Sequence, residues 1–232
     1  MSEHGPGVDR RRFITGLAGS AAALAATAGA APSELFAQNN PFPVYPAPQG
    51  GWDVSWVERM QKAKYRAVFD SATIDSGIAL TNAQTFLAGY KDVYNATDAE
   101  MGVVVVIRHR AMAIVFNDDI WARWKLGEKN DMKDRAGNAR TTNPWGAAAN
   151  AAAGSPAGGT IDALIARGVT FLCCNLALMR NAGEFAREMQ MPLEDARKLF
   201  IESLVPGVVR QTNGIFAITR AQAAGATLLK SA

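Results

Sequence analysis

Three side chains in this sequence could do covalent or proton chemistry together: His109 and the adjoining pair Cys173-Cys174. A thiolate is a nucleophile and a soft ligand, and an imidazole exchanges a proton near neutral pH. The chain holds two cysteines and two histidines, the other histidine being His4 near the start. That count excludes a disulfide framework, a zinc or iron–sulfur site of four cysteines, and a metal site of three histidines. A metal set of His109, Cys174 and Asp118 has a marginal number of ligands. A disulfide between neighbouring residues would be strained, which argues against a redox pair. The bland alternatives are a strand-end histidine held by hydrogen bonds and a cysteine acting as a small core hydrophobe. No GxxxxGK[ST] run, no GxGxxG run after a strand and no GxSxG elbow occurs. The sequence therefore implies no cofactor.

The elements that must position these groups alternate between strand and helix. Val103-Val104-Val105-Val106-Ile107 is an unbroken β-branched run, the pattern of a central parallel strand buried on both faces. Val169 to Cys174 (VTFLCC) is a second such strand. Shorter strands are expected at Tyr65 to Ser71, Val208 to Gln211 and Ala226 to Lys230. Helical periods run from Trp52 to Met60, Gly77 to Asn95, Asp118 to Leu126, Thr160 to Arg167, Leu176 to Gln190, Pro192 to Leu204 and Ile215 to Ala224. The implied fold class is α/β, flavodoxin-like, a mostly parallel sheet of about five strands with helices on both faces. Residues 127–159, rich in glycine, alanine and scattered charge, are expected as a flexible excursion from it.

In an open parallel sheet, ligands sit outside the carboxyl ends of the strands. The strongest strand ends at Arg108-His109 and the next at Cys174-Asn175. If those strands are neighbours, the histidine and the cysteine pair share one crevice. Successive strand residues face opposite sides, so only one cysteine is expected to enter it. Cys174 stands nearer the strand end and the next helix, whose N-terminus favours a thiolate. The candidate catalytic residues are Cys174 and His109. The candidate binding residues are Asn175 after the cysteine pair, Asn117 ahead of the helix at Asp118, and Asn213 in the Asn213-Gly214 turn.

The chain has 232 residues, 49% hydrophobic, and a net charge of +3 from 24 basic and 21 acidic residues. That is enough for one α/β domain with an appendage, and too balanced for an electrostatic nucleic-acid binder. The start reads Asp9-Arg10-Arg11-Arg12-Phe13, then a small, weakly apolar run to Ala31. Charge, apolar run and Ala28-Gly29-Ala30 form the signal-peptide pattern, and the arginine pair resembles a twin-arginine export signal. Residues 1–30 are expected to be removed, by a cut after Ala30 or after Ala37. The product is periplasmic or otherwise exported, with no stable membrane insertion. Pro41, Pro43, Pro46 and Pro48 mark an extended arm, so 31–64 is expected as arm plus short helix ahead of an α/β domain at 65–232.

Three segments carry a family resemblance. Residues 163–178 (ALIARGVTFLCCNLAL), Leu204-Val205-Pro206-Gly207-Val208 and 213–225 (NGIFAITRAQAAG) together resemble the DsrE/DsrF-like sulfur-relay family. The shared features are a helix–RGV–strand–cysteine pattern, a PGV strand start and a closing helix ending in Gln-x-x-Gly, here Gln222 to Gly225. The segment Val103 to His109 is similar to the family's central strand. The resemblance implies a flavodoxin-like fold and self-association as a trimer or hexamer. It also implies a cysteine persulfide at Cys174, with His109 and Asn175 polarising it and a sulfur donor or acceptor protein as partner. The other readings are a non-catalytic small-ligand-binding module and an oligomeric interaction protein using the same fold.

Overall fold

The computed structural model describes residues 45–146 and 159–231. Its centre is the valine run. β2 (Met101–Ile107) lies between β1 (Tyr65–Ser71) and β3 (Thr170–Cys174), with β4 (Val209–Gln211) outside β3 and β5 (Thr227–Lys230) outside β1. Every pairing is parallel, with Val104 opposite Thr170 and Ile107 opposite Cys173. The layering is flavodoxin-like, while the strand order β4-β3-β2-β1-β5 places the last strand beyond the first.

Alternation divides the run between two cores. Ala67, Phe69, Val103, Val105, Ile107, Phe171 and Cys173 face the larger one. Val68, Val104, Val106 and Leu172 face the smaller. The larger core is closed by α2 (Ile78–Tyr94), α3 (Asp118–Arg123), α4 (Leu126–Lys129), α5 (Ile161–Ala166), α6 (Asn175–Glu188) and α7 (Leu193–Glu202). The smaller is closed by α1 (Ser55–Lys62), through Trp56, Val57 and Met60, and by α8 (Gly214–Ala223), through Ala217, Ile218 and Ala221. The sequence reading put α1 outside the α/β domain. It is instead half of the cover on one face of the sheet. No helix among the described residues is long and apolar enough to cross a membrane.

Part of the expected excursion at 127–159 is anchored: Gly127 and residues 143–146 are buried, while Lys133 to Asn138 between them are exposed. Gly127 lies so close to the Arg140 backbone that a Cβ would stand 2.1 Å from its carbonyl oxygen. Asn143, 2% exposed, donates to the Ile114 and Phe116 carbonyls at 2.7 Å each. Its Oδ1 accepts from the Trp145 backbone N–H at 2.8 Å. Trp145, 1% exposed, meets Trp121 edge-to-face and lies over Gly77. Composition hid this because one asparagine and one tryptophan do the anchoring: a buried amide must be fully bonded, and a buried indole removes much apolar surface from water. The remainder of the expected excursion, 147–158, lies outside the described residues, as do the arginine pair and the proline-rich stretch up to Pro43.

Candidate functional site

Cys174 is the last residue of β3 and the N-cap of α6, and its Sγ accepts the Ala177 backbone N–H at 3.4 Å. One chain turn thus sets a thiol against the positive end of a 14-residue helix. α6 leaves β3 toward the larger core, while α8, which follows β4, leaves toward the smaller. β3 and β4 are neighbours, so their outgoing chains part at the carboxyl edge of the sheet. Such a parting opens a crevice there. Cys174 and Gln211 are register partners at that edge, Cys174 7% and Gln211 0% exposed.

β2 and β3 are adjacent and parallel, so His109 and the cysteine pair follow neighbouring strand ends. Cys173 is fully buried in the larger core, and loss of hydration pushes its thiol up to about 12. Cys174 keeps 7% of its surface accessible. Asn175 is buried, and its Oδ1 accepts from Arg210 Nη1 at 3.4 Å. Asn213 is at the crevice rim as the N-cap of α8, where its Oδ1 accepts the Phe216 N–H at 2.8 Å. That side chain serves as a cap.

His109 is exposed and stands in the left-handed region at φ 51°, where the chain turns from β2 into a 3-10 segment, His109–Val115. Partial desolvation at the rim, then the nearby Arg108 and Arg180 guanidinium groups, hold its imidazolium below the ordinary range, against an opposing pull from Asp70. At neutral pH the ring is a proton acceptor. Among the described residues no hydrogen bond joins it to Cys174.

Asn117 does not belong to the site. It caps α3 by accepting the Ile120 N–H at 3.2 Å, and its own N–H donates to the Ser203 carbonyl at 2.8 Å. Ser203 precedes β4, so Asn117 lies toward the amino ends of the strands. The buried 3-10 segment carries the chain down the sheet between His109 and Asn117. Asp118 goes with it, its carboxylate accepting the Asn143 N–H at 2.7 Å. His109, Cys174 and Asp118 therefore do not converge, and no metal-ligating cluster occurs among the described residues.

The sequence reading missed four residues at this edge. Arg108 makes a two-pronged ion pair with Asp70, at 2.6 and 2.7 Å, mostly shielded from solvent. Asp70 is the principal cause that strengthens the Arg108 charge, and the Cys174 sulfur, when ionised, adds to it. The stem of Arg108 lies on Gly214, where a Cβ would come within 2.8 Å of its Cδ. Gln211, fully buried, donates to the Asp53 carbonyl at 2.7 Å. Arg210 reaches Asn175 as described. The available signal was positional: Asp70, Arg108, Arg210 and Gln211 all stand at or just past the carboxyl ends of the expected strands.

No protein-family model matches this chain. No curated protein matches it either. Among solved structures, it is similar to a protein of unknown function from Methanobacterium thermoautotrophicum, at 16% identity and a TM-score of 0.38, over 72% of this chain and 98% of that one.

Proposed function

We propose that this protein handles sulfane sulfur at Cys174, carrying it as a cysteine persulfide. The observation that carries the reading is the thiol itself: it caps α6 at the carboxyl edge of the sheet, where the chains leaving β3 and β4 part. In the step proposed, the Cys174 thiolate attacks the outer sulfur of a persulfide donor. A bond forms between Sγ and that sulfur, and the donor's S–S bond breaks. The donor thiolate leaves with the electron pair and takes up a proton. The Ala177 N–H and the α6 dipole stabilise the anionic sulfur before and after transfer. Arg108 adds positive charge held in place by Asp70, and neutral His109 is available to take the thiol proton at the rim. The resemblance to DsrE/DsrF-like proteins supports the same reading and extends it to a self-associating protein with a sulfur-bearing partner, and the twin-arginine-like start extends it to an exported one.

A second reading is a module that binds a small anion without chemistry, favoured by Arg108, Arg180 and Arg210 standing around one strand edge. One experiment separates the two. Reduced full-length protein is incubated with a small persulfide donor and its intact mass is recorded. Sulfur carriage gives a gain of one sulfur atom that a reductant removes, that Cys174→Ser abolishes and that Cys173→Ser retains. A gain that survives Cys174→Ser, or none at all, rejects the proposal.

A further inference from the structure

Cys174 ends β3 between two arginines that come from different strands and different faces of the sheet. Arg108 follows β2 directly, and its backbone stays extended at φ −146° and ψ 169°. The last register pair of β2 and β3 is Ile107 with Cys173, so the next residues, Arg108 and Cys174, run on side by side. Alternation turns Arg108 toward the smaller-core face, where its stem lies on Gly214 at the start of α8. The backbone of Gly214 has no positive φ that would demand glycine, and any side chain there would displace Arg108. Arg210 approaches from the other side. It is the register partner of Cys173 in β4, and alternation turns it toward the larger-core face. There its Nη1 donates to Oδ1 of Asn175, the first residue of α6, at 3.4 Å. One guanidinium thus flanks the thiol from each face.

Positive charge is left over at this edge. Asp70 is taken up by Arg108, and the Asp53 carboxylate accepts the Ser55 N–H at 2.9 Å. Arg210 has a neutral partner in Asn175 and, among the described residues, no ion pair. A half-buried guanidinium has given up hydration, and a bound anion offsets that loss. Cys174 is only 7% exposed, so its sulfur is reached by a slender molecule. We propose that the sulfur donor is a small thiol persulfide bearing a carboxylate next to its sulfur, and that Arg108 and Arg210 select it by charge. The inference rests on the sulfur-carrying reading above and adds the substrate class. A guanidinium takes a carboxylate by two parallel bonds, and Arg210 has its fork open for one. Arg108, fixed by Asp70 and Gly214, lies beside the reacting sulfur. The Cys174 thiolate attacks the donor's outer sulfur, the Sγ–S bond forms as the donor's S–S bond breaks, and the electron pair leaves on the inner sulfur. The outer sulfur keeps its proton, and the leaving thiolate takes one from solvent. Negative charge is greatest on that departing thiol, which already carries its carboxylate, and two fixed cations stabilise it there.

The first measurement needs no sulfur donor. Reduced full-length protein is alkylated with anionic iodoacetate and, separately, with neutral iodoacetamide at one pH, and the Cys174 label is followed by mass spectrometry. Both reagents need the same thiolate, so its abundance cancels in the ratio of rates and the charge around the sulfur remains. The iodoacetate-to-iodoacetamide ratio is expected about five-fold or more above that of the chain in urea, the factor a unit charge at about 4 Å gives even in water, and it falls as salt is added. Arg210→Gln and Arg108→Gln each lower it toward the urea value with circular dichroism unchanged. Lys62→Gln, ahead of β1 at the amino ends of the strands, leaves it intact. The second measurement compares the persulfides of mercaptoacetate and of 2-mercaptoethanol. Cys174 gains sulfur faster from the first, and Arg210→Gln removes the difference. A ratio no higher than in urea, a ratio indifferent to both arginine substitutions, or equal rates from the two donors overturns the charge selection and leaves sulfur carriage standing wherever Cys174 still gains sulfur. No gain from either donor, beside a raised alkylation ratio, rejects sulfur carriage and the substrate class with it.

Discussion

Only one of the two adjacent thiols should react in the native protein, and the ratio can be worked from their positions. Burial raises Cys173 from 9.0 to about 12, so at neutral pH its thiolate is about a thousand-fold scarcer than that of an ordinary cysteine. Attack on an alkylating reagent needs the thiolate. Its side chain is also 0% exposed, so a reagent meets it only when the domain opens. For a stability of about 5–15 kcal/mol, that is fewer than about one molecule in a thousand. Cys174, 7% exposed with an N–H directed at its sulfur, does not wait on that opening. A short iodoacetamide pulse at pH 7.5 should therefore label Cys174 at least a hundred-fold faster. Both cysteines fall in one tryptic peptide, Gly168 to Arg180, so fragment ions must assign the label. Cys174→Ser should abolish native labelling. Cys173→Ser should retain it and cost about 1–3 kcal/mol, because it buries a hydroxyl in an apolar core. Equal labelling of both thiols, or Cys173 reacting first, would refute the placement of the crevice and the burial argument together.

Two further outcomes follow from contacts described above. Asn143→Ala removes two buried donors' bonds and one acceptor, leaving the Ile114 and Phe116 carbonyls and the Trp145 N–H without their partner; about 2–4 kcal/mol should be lost in urea unfolding, and a change under 1 kcal/mol would show that water replaces the amide. His109 should titrate below its ordinary 6.5 by NMR. Because the unfolded chain then binds more protons than the folded one, this histidine contributes stability present above 6.5 and lost as pH falls through the folded value. Arg180→Ala should move the titration upward, and an unmoved midpoint would remove Arg180 from the causes.

The strands and helices were legible because each carried its own period. The valine run announced a two-sided strand, and the sheet places it at the centre. The adjacency of β2 and β3, on which the shared crevice depended, was a conditional that the topology satisfies. What stayed hidden was long-range. Nothing local in Asp70 and Arg108 says that they will meet, since their pairing exists only once β1 and β2 lie side by side. Asn143 and Trp145 look like loop residues until the carbonyls of Ile114 and Phe116 are known to need donors. The 3-10 segment after His109 is buried at every residue from Ala111 to Val115 and so has no amphipathic period, and nothing marked how far Asn117 would travel from His109. Cys174, by contrast, could be placed from the sequence, because strand end and helix start are both local signals.

The smaller core has an unusual relation to time. Trp56, Val57 and Met60 come from the beginning of the described chain, and Ala217, Ile218 and Ala221 from near its end. On a ribosome adding about 5–20 residues per second, β2 is complete on the order of ten seconds before α8 has been made. Throughout that interval Val68, Val104 and Val106, joined by Leu172 once it is made, have only α1 to lie against. β1 likewise waits for β5, its partner on the outer side. The inner strands can assemble in the order of synthesis, but the last helix and strand must close over a surface kept apolar and open. A nascent chain built this way keeps that apolar face open through most of its synthesis and closes it only once α8 and β5 have been made.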